Sequence, residues 1–571
     1  MSPISPDSHK VSLSSPNSDG PTGQTNRQEL GPDLRGAEYE LDKMEALVDR
    51  ALNYLKSQGS SVNQVIDTHQ VACYELAHAK AGLAMARSAL EYGALGDLEA
   101  QLACVFCADA ICDARSRVLF SENIWGLRFD DFGGESEFLT YWRSPEVVAR
   151  FAQTPGERHL DSDFELAAET FRKFAENEIV PHAEHVHRTN GDVPESVISG
   201  LAEIGGFGLS VPESFGGFAQ GGDGDYLAMV VATEELSRAS LGIGGSLITR
   251  PEILTRALVK GGTQAQKETW LPRLASAEIL CAVAVTEPDY GSDVAGITTT
   301  ATPCGDPPSG YLIRGVKTWC TFAARADVLM LLARSDPDRS KGHRGLSMFI
   351  VNKPVGPGKG FEFTQNPGED QRPADLPPGH IQGRPIDTIG YRGMHSYEIS
   401  LDDWWVPANQ LIGESDGLGR GFYLQMEGFE NGRLQTAARA VGVMQAAYEA
   451  ALDYARARKV FGSPIVDYEL TQQKLGRMAV IIQAARQFSY QVARLMAKGE
   501  GAMEASMVKA YVCRACEWVT REALQIHGGM GFAEEFPISR YFVDARVLSI
   551  FEGADETLAL KVIARRLLEL A

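Results

Sequence analysis

The sequence predicts an α+β protein whose helical and β-rich segments are segregated along the chain. Three observations predict it. Long stretches on both sides of a central region repeat apolar residues at helical spacing. The central region, from about residue 283 to 403, breaks into short β-branched and aromatic runs punctuated by Gly and Pro. No G-x-G-x-x-G motif follows a strand and opens a helix, so a nicotinamide-dinucleotide fold has no support. At 571 residues the chain exceeds one hydrophobic core, and several domains are expected.

In chain order, residues 1–35 are rich in Ser, Pro, Asp, Asn and Gly and read as a disordered tail. From 36 to 125 the pattern is helical: Leu41, Met44, Leu47, Val48, Ala51 and Leu55 recur at spacings of three and four. Further helices are expected over about 63–93 and 97–120, with a break at Tyr92-Gly93-Ala94-Leu95-Gly96-Asp97. This accessory helical domain carries no catalytic motif, and subunit packing is its expected role. Residues 126–160, following Trp125, form a linker that packs aromatics, with Phe129, Phe132-Gly133-Gly134 and Pro155-Gly156. A second helical block covers 161–282. The β-domain, 283–403, contains Tyr311-Leu312-Ile313, Val328-Leu329-Met330-Leu331-Leu332 and Ser347-Met348-Phe349-Ile350-Val351, as in a compact barrel or sandwich. Its Pro/Gly-rich stretch 354–385 is expected to be a surface excursion. Over 404–571 helices return, with Val441, Met444, Tyr448, Leu452 and Ala455 forming one stripe.

The formal net charge of −21 argues against nucleic-acid and anionic-membrane partners. No run of about 18 apolar residues exists, so no membrane-spanning helix is expected. Nine cysteines without a secretory leader suit a reducing cytoplasm. The pairs Cys104/Cys107 and Cys513/Cys516 lie in Ala-rich helical sequence without nearby His, which suits buried thiols better than metal ligands. No metal site is expected.

Three segments carry the chemistry. Val285-Thr286-Glu287-Pro288 leads into Gly291-Ser292-Asp293, where Thr286 offers a hydroxyl to a flavin ring. Gly291 and Ser292 let a backbone N–H and a hydroxyl approach a phosphate. Alone, this could be an ordinary turn between β-runs. Lys317-Thr318-Trp319-Cys320-Thr321 follows, and there Trp319 can stack beside the flavin while Thr321 reaches N5. Near the C-terminus, Ile550-Phe551-Glu552-Gly553 puts one carboxylate on a short loop. A flavin plus one positioned base can remove a hydride and a proton from adjacent carbons.

From about residue 160 onward these motifs, in this order, resemble the acyl-CoA dehydrogenase family. The resemblance implies a helical domain, a β-barrel domain and a C-terminal four-helix bundle, here with an extra N-terminal helical domain. It implies FAD held by Thr286, Gly291, Ser292, Trp319 and Thr321 of one subunit. Arg458, Phe461, Gln525, Gly528 and Gly529 would hold the FAD of a neighbouring subunit, so at least a homodimer is expected. Glu556 also falls on the cofactor side; with Ala554 it replaces the Gln and Thr of many relatives near the FAD adenosine. Glu552 takes the role of the family's base. Some relatives place the base before the Arg of an earlier helix, and that slot here is Gly432, ahead of Arg433.

The substrate implied is an acyl-CoA, with Ser292, Arg250, Glu430, Arg433 and Gly553 on its side. Electrons would pass to an electron-transferring flavoprotein, or to oxygen as in related oxidases. Three further stretches resemble the branch that oxidises (2S)-methylsuccinyl-CoA to mesaconyl-CoA in the ethylmalonyl-CoA pathway of acetate assimilation. They are Ile389-Gly390-Tyr391-Arg392-Gly393-Met394, the run from Gly432 to Ala440, and Phe536-Pro537-Ile538-Ser539-Arg540. Such a substrate brings a free carboxylate into an apolar pocket, where it needs a cationic partner. Arg250, in Ile248-Thr249-Arg250-Pro251, is the expected partner, with Arg392 and His395 as fallbacks; a surface charge at a helix break is the alternative reading. A dehydrogenase for isobutyryl- or 2-methylbutyryl-CoA, and a non-catalytic nucleic-acid-associated member of the fold, are the competing functions.

Overall fold

The computed structural model describes residues 31–119, 122–222, 224–305, 307–369 and 371–571. The expected tail lies outside the described residues up to residue 30. Helix α1 spans Leu34–Ser57 and starts on Asp33, whose carboxylate accepts from the Gly36 N–H at 2.8 Å. Its stripe of Leu41, Met44, Leu47, Val48, Ala51 and Leu55 is buried. Helices α2 (Val62–Thr68), α3 (Gln70–Gly93) and α4 (Asp97–Val118) follow. Their Ala and Gly residues allow close helix packing: a Cβ on Gly82 would stand 3.3 Å from the Tyr511 ring of the C-terminal bundle. The N-terminal helices therefore have no separate core. They share one continuous apolar cluster with the bundle.

The next helices that position the site are α5 (Ser162–Phe174), α6 (Asp225–Ala239) and α7 (Thr249–Gly261). The sheet that follows has eight strands. They are β1 (Cys281–Ala284), β2 (Thr300–Cys304), β3 (Gly310–Lys317) and β4 (Val328–Arg334), then β5 (Leu346–Asn352), β6 (Phe361–Gln365), β7 (Gly379–Ile386) and β8 (Ser396–Pro407). Their order is β1-β4-β2-β3-β8-β7-β6, with β5 also on β4. Strand β1 runs parallel to β4, while β3–β8, β4–β5 and β7–β8 are antiparallel. Every residue of β4 is buried, as a strand covered on both faces requires.

The expected surface excursion at 354–385 is corrected here. It contains β6 and β7, an antiparallel pair with Phe361 opposite Gly383 and Gln365 opposite Gly379. The strands read Phe361-Glu362-Phe363-Thr364 and His380-Ile381-Gln382, whereas the prolines gather in the connection between them.

The C-terminal bundle comprises α8 (Gly421–Ala457), α9 (Glu469–Ala497), α10 (Ala502–His527) and α11 (Ile538–Leu548). Val441, Met444, Tyr448, Leu452 and Ala455 are buried along α8. Among the described residues no helix is long and apolar enough to cross a membrane, and all nine cysteines are free.

Candidate active site

Helix α11 ends in a tight loop. The N–H groups of Ile550 and Phe551 both donate to the Val547 carbonyl, at 2.9 and 3.1 Å. Glu552 then adopts a left-handed backbone, φ 53°, a conformation costing a non-glycine residue about 1 kcal/mol. The surrounding bonds hold it there. Lys509 Nζ, fully buried on α10, donates to the Gly553 carbonyl at 2.5 Å, and the Asp555 N–H closes back onto Ser549 O at 3.2 Å. The Glu552 side chain is only 6% exposed and points at α8. A Cβ on Gly432 would lie 2.8 Å from its Oε2, so a side chain there would collide with the carboxylate.

Three guanidiniums crowd this carboxylate. Arg250, near the start of α7, places Nη1 3.5 Å from Glu552 Oε1 and donates from Nη2 to the Tyr391 hydroxyl at 3.1 Å. Tyr391 meets Phe551 edge-on at 5.4 Å, and the Arg439 guanidinium of α8 lies over the same Phe551 ring at 5.2 Å. Arg433, one helical turn and a half earlier, donates to Ser506 Oγ at 3.2 Å. Burial lowers the pKa of Arg439, and the Arg250 charge adds to this. Burial likewise lowers Arg433 and Lys509, whereas Glu430, half-buried on α8, is pushed up. For Arg250, burial opposes the charge, but Tyr391 and Glu552 outweigh it and the pKa rises.

Among the described residues, Glu552 Oε2, Arg250 Nε, Arg433 Nε, and Arg439 Nε and Nη1 are buried without a hydrogen-bond partner. Buried ionic atoms left in this condition cost several kcal/mol unless something completes them. The arrangement is an enclosed, cation-rich site with one free carboxylate oxygen.

The two β-domain motifs are clamped together. Buried Lys317 donates from Nζ to Val285 O at 3.0 Å and to Glu287 Oε1 at 2.9 Å. Glu287 also accepts from the N–H groups of Thr298 (2.7 Å) and Thr299 (2.8 Å). The Thr318 N–H donates to Thr286 O at 2.8 Å. Burial raises the Glu287 pKa, yet Lys317 and the threonine donors win and hold it at about 2. Beyond the clamp, Trp319 has φ 57° and stays 56% exposed. Thr321 is buried, its hydroxyl 3.1 Å from that of Ser396. Gly291 and Ser292 are exposed, and the Thr557 hydroxyl donates to Ser292 Oγ at 2.9 Å, which brings this turn to the Glu552 loop. The exposed Trp319 indole, in a segment that also carries Thr318 and Thr321, offers a flat apolar face suited to a planar ring system.

Arg458, Phe461, Gln525, Gly528 and Gly529 lie elsewhere, together at one end of the bundle. There Tyr454 of α8 stacks on His527 of α10 at 4.5 Å. Phe461 is 100% exposed, and Gly528 and Gly529 face open space. Among the described residues no hydrogen bond or ion pair joins this group to Trp319 or Thr321. Glu556 is exposed and lines a cavity of about 490 Å³ with Arg514, Glu517, Arg546 and Asp555, beside the Glu552 loop. The fallback cations are engaged elsewhere: Arg392 donates to His187 O (2.8 Å) and Thr388 O (3.0 Å), and His395 pairs with Asp192 at 3.0 Å. Sequence reasoning missed Arg439, Tyr391 and Lys509. No local signal marks them: Tyr391 lies in a loop, and Arg439 and Lys509 read as solvated helix charges until the bundle is packed.

Known proteins share this three-domain fold, with its helical domain, β-domain and C-terminal helical bundle. Family models for the acyl-CoA dehydrogenase N-terminal, middle and C-terminal domains match residues 161–278, 282–404 and 419–568. The chain belongs to the acyl-CoA dehydrogenase family. It is 37% identical over 569 residues to (2S)-methylsuccinyl-CoA dehydrogenase of Cereibacter sphaeroides, spanning 95% of this chain and 99% of that protein. It is 33% identical over 388 residues to the CarC subunit of a caffeyl-CoA reductase–Etf complex of Acetobacterium woodii, spanning 67% and 93%. The structure of glutaryl-coenzyme A dehydrogenase with glutaryl-CoA superposes with a TM-score of 0.63 at 29% identity, over 72% of this chain and 97% of that one. The family reaction is FAD-dependent α,β-dehydrogenation of an acyl-CoA, and the residues around Trp319 fit that cofactor.

Proposed function

We propose that this protein oxidises a short, branched dicarboxylic acyl-CoA, (2S)-methylsuccinyl-CoA, to mesaconyl-CoA, with Glu552 as the base. One observation carries the reading: the buried guanidiniums of Arg250, Arg433 and Arg439 keep unpartnered N–H groups and outnumber the two carboxylates near them, Glu552 and Glu430. A monocarboxylic acyl chain would leave that positive charge uncompensated. A substrate's distal carboxylate would complete it through charge-assisted hydrogen bonds. The similarity to a methylsuccinyl-CoA dehydrogenase across nearly the whole chain, N-terminal helices included, supports the same substrate. That substrate would place the protein in the ethylmalonyl-CoA pathway.

In this reading the thioester oxygen accepts the Glu552 backbone N–H, which stabilises the charge that develops on it. The Glu552 carboxylate takes the α-proton on Oε2, the oxygen left free in the structure. Thr286, Gly291, Ser292, Trp319, Thr321 and Glu556 hold FAD, and FAD when bound supplies the acceptor for the β-hydride. Glu430 and Gly553 border the thioester. The exposed bundle end with Arg458, Phe461, Gln525, Gly528 and Gly529 receives the cofactor of a second copy, so the protein works as a homo-oligomer. An electron-transferring flavoprotein takes up the electrons, in keeping with the name of the Acetobacterium woodii relative. Anaerobic mixing of the yellow protein with a panel of acyl-CoAs tests the substrate. Methylsuccinyl-CoA should bleach the flavin fastest; equal bleaching by butyryl-CoA would defeat the dicarboxylate assignment.

A further inference from the structure

We infer that the N-terminal helices act on catalysis directly: Tyr74 and His78 of α3 are positioning residues that hold Asp555, and through it the Glu552 loop. The inference rests on Glu552 being the base. Tyr74 and His78 stand one helical turn apart on the same face of α3, their rings in edge contact at 4.5 Å. The Tyr74 hydroxyl donates to Asp555 Oδ2 at 2.6 Å, and His78 Nε2 lies 3.2 Å from the same oxygen. Both His78 and Asp555 are buried. Burial alone would raise the Asp555 pKa, but His78 and Tyr74 outweigh it and hold the carboxylate below its ordinary value.

Asp555 closes the loop that begins at Ser549, through its own N–H onto Ser549 O at 3.2 Å. The loop is anchored at its entry by α11 and by the Ser549 hydroxyl on Glu517, in the middle by Lys509 on the Gly553 carbonyl, and at its exit by α3 on Asp555 and by the Thr557 hydroxyl on Ser292. Glu552 sits between them in a left-handed conformation that free chain would leave. Among the described residues Asp555 Oδ1 has no hydrogen-bond partner, so the hold depends on Oδ2 and its two partners from α3. Releasing Asp555 would let the loop relax and swing the Glu552 carboxylate away from Gly432 and Arg250. A shift of about 1 Å at a reacting group can cost about a hundredfold in rate.

The test uses flavin-loaded full-length protein carrying Tyr74→Phe with His78→Gln, and separately Asp555→Asn. Three quantities are read: turnover per bound flavin, KM, and hydrogen–deuterium exchange of the segment 549–557. We expect kcat per flavin to fall about tenfold, KM to stay within about twofold, and exchange of 549–557 to rise. Asp555→Asn loses the charge but keeps an oxygen that Tyr74 can donate to, so it should move the same quantities in the same direction by less, and adding Tyr74→Phe to it should complete the loss. Glu45→Ala is the control for mere loosening of these helices. It removes a partner of Arg87 at 2.6 Å, away from the loop, and should leave kcat per flavin intact. Unchanged kcat per flavin and unchanged exchange in the double variant, even with a lower melting temperature, would overturn the inference. Full turnover by Glu552→Gln would instead remove the base assignment, and any exchange change in the α3 variants would then carry no catalytic meaning.

Discussion

Replacing Arg250 by methionine keeps a long flexible side chain in place and deletes only the charge and its donors. In the structure this guanidinium touches Glu552 at 3.5 Å and Tyr391 at 3.1 Å, and its side chain is 8% exposed. If it also pairs with a substrate carboxylate, the variant strands that carboxylate in a dry pocket. Truncating one partner of a buried charge pair costs about 2–5 kcal/mol, or about 30-fold to 5,000-fold in kcat/KM. Arg439 remains nearby, so a loss toward the lower end, about 100-fold, is expected with methylsuccinyl-CoA. Arg250 also faces Glu552, and losing that contact would slow every substrate alike. The informative quantity is therefore the ratio between methylsuccinyl-CoA and 2-methylbutyryl-CoA, measured as steady-state kcat/KM with an artificial acceptor. For 2-methylbutyryl-CoA a change within about threefold, or a gain, is expected. Equal losses on both thioesters would refute the carboxylate-pairing argument and reduce Arg250 to a neighbour of the base.

Gly432→Ala should separate stability from activity: alanine favours the α8 helix by up to about 1 kcal/mol, while its Cβ would stand 2.8 Å from Glu552 Oε2. The variant should melt no lower than the parent and lose about tenfold or more in kcat; an unimpaired kcat would show that the carboxylate does not work from this position. The Glu287 carboxylate, held at about 2 against an ordinary value near 4.3, stabilises the fold by about 3 kcal/mol at neutral pH. Because its folded pKa is the lower one, that stability is present above the unfolded pKa and is lost as pH falls from about 4.3 towards 2. Glu287→Gln should therefore be markedly less stable in urea at pH 7, with buried Lys317 left unpaired, and the gap should narrow towards pH 3. A gap of constant size across that range would count against the ion pair.

The segregated order of helical and β-rich segments read from periodicity is the order the structure has, because long amphipathic stripes and short β-runs differ strongly in pattern. The exception, β6 and β7, alternates over only a few residues on either side of a Pro-rich connection, and composition masked the strands. Thr286 and Glu552 stood out because each lies in a compact motif with Pro288 or Gly553 close by, and Trp319 because Lys317-Thr318-Trp319-Cys320-Thr321 follows the first motif. Arg439 did not, since nothing within one turn of α8 distinguishes a buried arginine facing Phe551 from a solvated one. The bond from Tyr74 to Asp555 joins residues 481 positions apart, and no local pattern records such a pairing. Even the role expected for the N-terminal helices, subunit packing, took no account of a contact with the loop of the base.

Whether Glu552 removes the α-proton is decided by stopped-flow mixing of flavin-loaded Glu552→Gln with methylsuccinyl-CoA in the absence of oxygen. The isosteric amide keeps the shape of the loop and cannot accept the proton. Flavin reduction should slow by at least about a hundredfold while the variant stays yellow and still binds the thioester. Bleaching at the parent's rate would contradict the assignment and show that another group is the base.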